Sequence, residues 1–532
     1  MNEIRCVCNC IRIDKVVFRR DLLRSAAGIS LASIVGEIST FSTSNHAKAA
    51  EDSNSEGTHF DRNTVKDIAR DLAGKPYQAP SDKLPDVINN LDFDGFRSIE
   101  FKTDQALWHA DGLFFEAEFF PRGFLYRPKI DIYEVIDGTS KPVSYNPDLF
   151  NYSNPKYRVD DNLGFSGLKL MAPINQPNIK EECAVFLGAS YFRAVAKGQN
   201  YGLSARGFSK GTADPQGEEF PLFRAFWLEK PKADVQSIVV YALLDTPSLT
   251  GAYRFTIRPG TTTIFDVESF IYPRKLIANG GIAPLTGMFY FDSNNRNHVD
   301  DWRPAAHDSE GLLMWTGTGQ QLWRPLNNPV DLQYSVFVDE APKGFGLIQR
   351  KHAFDQYEDL ALRYDLRPSL WIEPVGEWKT GSVNLVEIPT PSEVNDNIVA
   401  FWRPKNPLKA GSEYNFIYRM YWGWDNPWKT PLARIAATRI GSVVDQPDTR
   451  LICIDFFDGP LNNFPLDKIL KVNPVTSAGQ IQNIAIMPNP VTHGWRATFE
   501  FVPGGAKMAE LKCALLDGDN PISELWLYRW TP

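Results

Sequence analysis

Between residues 280 and 329 the chain sets Asp300, Asp301, Asp308 and Glu310 among Trp302, Trp315 and Trp323. Arg296, Arg303, Arg324 and His307 are interleaved with them. Indole rings offer flat apolar faces, and charged groups beside them hydrogen-bond hydroxyls or move protons. That combination suits a neutral ligand rich in hydroxyl groups. A second carboxylate pair follows in Glu393-Val394-Asn395-Asp396. Hydrolysing an acetal takes one carboxylic acid to protonate the leaving oxygen and a second group to activate water, so both clusters are candidates. Each also has a plain structural reading. Asp308 before Ser-Glu-Gly suits a turn or a helix cap, Asp396 stands at a loop-to-strand junction, and Asp300-Asp301 suits solvated charge.

Other chemistries lack their motifs. The sequence has no GxxxxGK[ST] phosphate loop, no GxGxxG between strand and helix, no HExxH and no GxSxG elbow. Its seven histidines are scattered without metal-ligand spacing. No cofactor and no metal are expected.

The elements that must position these carboxylates read as strands. Segments 113–120, 128–135, 237–244, 252–257, 262–267, 383–387, 397–402 and 413–422 are rich in Phe, Tyr, Val and Ile and are separated by Gly, Pro, Asn and Thr. Long helical periods are nearly absent. Asn63 is expected to cap a helix running to Leu72, with a short helix near Leu84 and a first strand at 98–102, the helices lying outside a sheet. Two prolines interrupt the pattern at 423–432. Strands are expected beyond them at 434–438, 451–456, 484–487, 496–501, 509–516 and 524–530. The fold class is therefore mainly β, a large sandwich followed by a smaller immunoglobulin-like one.

At 532 residues the chain is long enough for more than one domain. Its first 49 residues read as an export leader. Arg19-Arg20 precedes an apolar stretch from Ser25 to Val35, and Ala47-Lys48-Ala49 offers a small-residue cleavage site. The apolar stretch is too short to span a bilayer, so no membrane anchor is expected. Residues 50–58 read as a disordered start. The leader is basic, which makes the remainder more acidic than the whole chain's −8 and argues against nucleic acid as a partner. Three cysteines follow the leader, and a Cys453–Cys513 disulfide is conceivable.

A series of ordered blocks carries a resemblance. They include Phe186-Leu-Gly-Ala-Ser-Tyr-Phe-Arg-Ala194, Tyr201-Gly-Leu-Ser-Ala-Arg-Gly207, His307-Asp-Ser309, Trp323-Arg-Pro-Leu-Asn-Asn328, Arg367-Pro-Ser-Leu-Trp-Ile-Glu-Pro374 and Asp396-Asn-Ile-Val399. In these the chain resembles the periplasmic glucan biosynthesis proteins G and D, which act on osmoregulated periplasmic glucans. The twin-arginine-like leader is most similar to the D member's. The resemblance implies a periplasmic protein with a twin-arginine leader (1–49). A large β-sandwich of the galactose-mutarotase-like supersandwich type (50–424), a linker (425–435) and an immunoglobulin-like domain (436–532) would follow.

It also implies an inverting endo-β-1,2-glucanase with Asp396 as general acid and Asp308 as general base, acting through a chain of waters. Glu393, Tyr364, Arg367, Trp315 and Trp371 are the expected substrate-binding residues. Trp302 and Trp378 are further candidates for sugar platforms, although the family's pattern at 300–302 is less uniform and no chemistry is assigned to Asp300 or Asp301. The expected partner is a β-1,2-glucan, and a homodimer is a second candidate assembly. Two other functions fit the same residues: a non-catalytic glucan-binding scaffold, and a transglycosylase that would make products longer than its substrate.

Overall fold

The computed structural model describes residues 57–532 apart from 297, 298, 466 and 467. The leader lies outside them. So does most of the expected disordered start, whose last residue opens the short strand Thr58–His59. Among the described residues no helix is long and apolar enough to cross a membrane.

Two large sheets dominate among the described residues, a mixed one of 15 strands and an antiparallel one of 10. Alternation dictates how a strand faces the core. In Thr263–Pro273, Phe265, Val267 and Ile271 are buried, while Asp266, Glu268 and Phe270 face outward. Rings from the two sheets meet in the main core. Phe186 and Phe192 of the smaller sheet lie 5.3 and 5.2 Å from Phe255 of the larger one, and Phe192 stacks on Phe265 at 5.9 Å.

The helix Thr64–Ala73 packs through Val65 and Ala69 on the outer face of the large sheet. Its cap differs from expectation. The Asn63 side chain makes no cap bond; Asp61 Oδ1 instead accepts the Asn63 and Thr64 amides at 2.8 and 3.0 Å. A backbone already in the αR region at Asn63 cannot aim that side chain at the first free amides.

Beyond strand Tyr414–Gly423 the chain passes through bends to strand Arg434–Val443. There a four-stranded sheet forms from Arg434–Val443, Gln446–Phe457, Gly494–Val502 and Gln480–Asn489. Lys471–Val472, Leu515–Asp517 and Asn520–Pro521 form a small sheet of their own, and three further C-terminal strands lengthen the large sheet. Leu525–Trp530 pairs in parallel with Gln321–Pro325, and Ala509–Cys513 and Val475–Thr476 follow it to the edge. A buried ion pair fixes the join. Arg350 holds Glu524 at 2.7 Å, donates to the Ile435 carbonyl at 2.6 Å and stacks 3.7 Å over the Trp323 ring. The C-terminal segment is thus joined to the large sheet by strand pairing and by this ion pair. Cys453 and Cys513 remain free thiols, correcting the conceivable disulfide. They lie on different sheets, Cys453 in the four-stranded one and Cys513 in the large one.

Candidate functional site

Strand Gly280–Gly287, buried along its length, runs through the ten-stranded sheet and pairs with Ile398–Pro404, placing Gly287 opposite Ile398. Asp396 and Asn397 therefore arrive beside residues 287–289. Asn397 seals the arrangement: its amide donates to the Gly287 carbonyl at 3.0 Å. Its side chain accepts the Phe289 amide at 2.8 Å and donates to the Phe289 and Ile388 carbonyls at 3.0 Å each.

After Gly287 the chain leaves that sheet. Phe289–Phe291 pairs with Ala306–His307, and Gly311–Trp315 then joins the large sheet. Asp308 sits at this crossing. Its amide donates to the Met288 carbonyl at 2.8 Å and its Oδ2 accepts the Met288 amide at 3.2 Å. Asp308 directly, and Asp396 through its neighbour Asn397, are thus placed beside the same three residues of backbone although 88 positions separate them.

Asp308 is buried, and its other oxygen forms an ion pair with Arg367. Arg367 is buried at the start of strand Ser369–Val375, its Cβ pressed against Gly202. Burial works against the Arg367 charge, but the neighbouring Asp308 carboxylate holds the guanidinium above its ordinary range. The guanidinium lies 4.1 Å over the ring of Tyr364, whose hydroxyl donates to Glu393 Oε2 at 3.0 Å. Burial keeps the Tyr364 phenol protonated well beyond its usual range. Asp308, Arg367, Tyr364 and Glu393 form one continuous chain of contacts, and Asp396, half-buried, lies in the same loop as Glu393.

Sequence reasoning gave no role to two members of this cluster. Arg303 reaches Glu393 at 2.5 Å, Asp359 at 2.9 Å and Asp301 at 2.8 Å, tying three loops together. Asp359 lies in a loop without periodicity, where only the fold could reveal its partner. A second buried cluster backs Asp308. Lys351 Nζ meets Asp292 Oδ1 at 2.6 Å and Glu310 at 3.5 Å, and His307 Nε2 lies 3.6 Å from Asp292. His307 Nδ1 is 3.1 Å from the Gln349 side-chain oxygen, and the Gln349 amide group donates to the Tyr364 carbonyl. These contacts fix the Tyr364 turn from behind.

Burial alone would raise the Asp292 carboxyl pKa, but the Lys351 charge and then His307 hold it well below the usual carboxylate range. A depressed carboxyl contributes stability above its unfolded pKa, about 4, and loses it as pH falls through the folded value. Asp292→Asn should therefore cost on the order of 2 kcal/mol at pH 7 and flatten the decline in stability below about pH 4. Urea midpoints from pH 7 down to pH 3 check this.

Two expected platforms do not line the cluster. Trp371 is 0% exposed, with Gly344 and Gly346 packed against its ring, so neither face is free to stack on a sugar. Trp315 ends strand Gly311–Trp315, about 13 Å along it from Gly311 by strand rise, and carries Lys343 over its ring. Trp378 is likewise buried, against Trp402, Phe416 and Tyr418.

Comparison with known proteins gives one consistent answer. Residues 60–530 match the family model described as periplasmic glucan biosynthesis protein, MdoG. The chain is 47% identical over 515 residues to a protein named glucans biosynthesis protein G from Bradyrhizobium diazoefficiens, covering 97% of this chain and 100% of that one. It is 50% identical over 475 residues to the G protein of Rhodopseudomonas palustris strain BisA53, covering 89% and 93% of the two chains. Against the G protein of Vibrio cholerae strain O395 it is 47% identical over 478 residues, covering 89% and 87%.

Proposed function

Because the chain belongs to the periplasmic glucan biosynthesis protein family, we propose that it shapes the glucose backbone of periplasmic glucans by inverting endo-hydrolysis of β-1,2 linkages. The observation that carries this reading is the convergence of Asp308 and of Asn397, next to Asp396, on residues 287–289, with Arg367, Tyr364 and Glu393 linking Asp308 to the Asp396 loop. Asp396 gives its proton to the leaving glycosidic oxygen. Water attacks the anomeric carbon from the opposite face and surrenders a proton that ends on Asp308. Asp308 is left protonated and Asp396 ionised, and exchange with solvent resets both.

The burial of Asp308 shapes this step. Both its oxygens are already engaged, by Arg367 and by the Met288 amide, so the proton from water reaches it through intermediate hydroxyls or waters. The twin-arginine leader, and with it the likeness to the D member, rests on residues 1–49 alone; the three relatives named above all bear the G name.

Incubating the full chain with linear β-1,2-glucan between pH 4 and pH 8 tests the proposal, with release of oligosaccharides as the expected result. The scaffold reading draws on one observation, the ion pair that occupies Asp308. Glucan binding without release at any pH in that range would favour it, and products longer than the substrate would indicate transfer.

A further inference from the structure

The turn at residues 300–304 presents an indole to solvent on a mount that is otherwise locked. Trp302 is 70% exposed, whereas Trp371, Trp378, Trp402 and Trp422 are all buried. Leaving so large an apolar side chain in water forgoes the stabilisation its burial would bring. The residues on either side of it are held from two directions. Arg296 donates to the carbonyls of Asp301, Arg303 and Pro304 at 2.7 to 2.9 Å, and is itself seated 4.7 Å over the Phe291 ring. Arg303, itself buried, bonds back to the Asp301 carboxylate and onward to Asp359 and Glu393.

The same Arg303 guanidinium lies 6.0 Å from the Trp302 ring and 5.8 Å from the Tyr364 ring. The indole is therefore continuous with the chain of contacts that leads from Glu393 and Tyr364 to Asp308. Rigidity matters because a ring already fixed in its bound position loses little entropy when a ligand lands on it.

We propose that Trp302 is a sugar-stacking platform at the rim of the candidate cleft, receiving one glucose ring of the β-1,2-glucan, with Arg296 as the residue that positions it. This rests on the glucan reading above. An indole face matches the apolar C–H face of a glucopyranose, and Asp301 and Glu393 nearby offer acceptors to its hydroxyls. Of the other exposed apolar side chains on the loops joined by Arg303, Leu360 and Val394 are aliphatic, and Phe354 is less exposed and carries Arg363 over its ring.

The test is binding of linear β-1,2-glucan by calorimetry, in an Asp396→Asn background so that the polymer stays intact. Trp302→Ala should weaken the dissociation constant about tenfold, and Trp302→Phe should recover most of that loss. Adding Arg296→Met to Trp302→Ala should weaken binding no further, since a mount without its ring has nothing to position. Binding by Trp302→Ala within about twofold of the parent would overturn the platform, and further weakening in the double variant would overturn the positioning role. If the parent binds glucan but the wild type never cleaves it, hydrolysis fails and the platform stands. If the parent does not bind glucan, both fall.

Discussion

Replacing Asp396 by Asn is expected to lower oligosaccharide release from β-1,2-glucan by about 10³-fold or more, while glucan binding and the thermal midpoint stay close to wild type. General acid catalysis contributes roughly 10²–10⁴-fold, and a sugar hydroxyl is a poor leaving group that needs the whole of it. Asn keeps the size and most hydrogen bonds of the carboxyl but has no proton to give. The neighbouring position supplies the contrast. The Asn397 side chain carries the structural bonds, on Phe289 and Ile388, so its truncation should unfold the loop that Asp396 only occupies. Release measured by reducing ends, beside calorimetric binding, separates lost chemistry from lost structure.

Arg367→Met is expected to cost about 3–5 kcal/mol of stability, read as a shift of the urea midpoint, and to abolish release as well. The substitution keeps most of the side-chain volume but strands the buried Asp308 carboxylate without its counter-charge. Release falls with it, because the Arg367 guanidinium also lies over the Tyr364 ring that links this pair to Glu393. Adding Asp308→Asn to Arg367→Met removes the stranded charge and should restore part of the stability but none of the release. Arg367→Lys should recover little. A single ammonium cannot both pair with Asp308 and lie flat over the Tyr364 ring as the planar guanidinium does.

Local patterns were readable wherever local rules act. Residues 413–422, with their run of aromatic and β-branched side chains, are strand Tyr414–Gly423, and the expected strand at 496–501 lies within Gly494–Val502. Pairing across long separations leaves no such trace. Nothing near Leu525 announces that it lies beside Leu322, about 200 positions away, so the merging of the C-terminal strands with the large sheet could not be read. The two aspartates came forward through resemblance rather than spacing, and the pairing of Gly287 with Ile398 supplies the physical link that the sequence conceals.

Tryptophan roles escape local reading too. Trp302, between Asp301 and Arg303, faces solvent, whereas Trp378, between Glu377 and Lys379, is buried like Trp371, so flanking polarity does not tell which ring is exposed and only the fold does. Arg303 was visible as a charge among charges. Its three carboxylate partners come from three loops, and only the fold assembles them.

The central claim is that Asp396 and Asp308 act as an acid and base pair on opposite faces of a β-1,2-linked glucose. Its most direct test is the anomeric configuration of the first products, followed by proton NMR during the opening minutes of digestion of linear β-1,2-glucan. Direct attack by water inverts the anomeric carbon, so the account predicts that α-anomeric reducing ends appear first and then mutarotate towards the equilibrium mixture. Initial release of β-anomeric ends would require a covalent intermediate and a different pair of residues, and would contradict it.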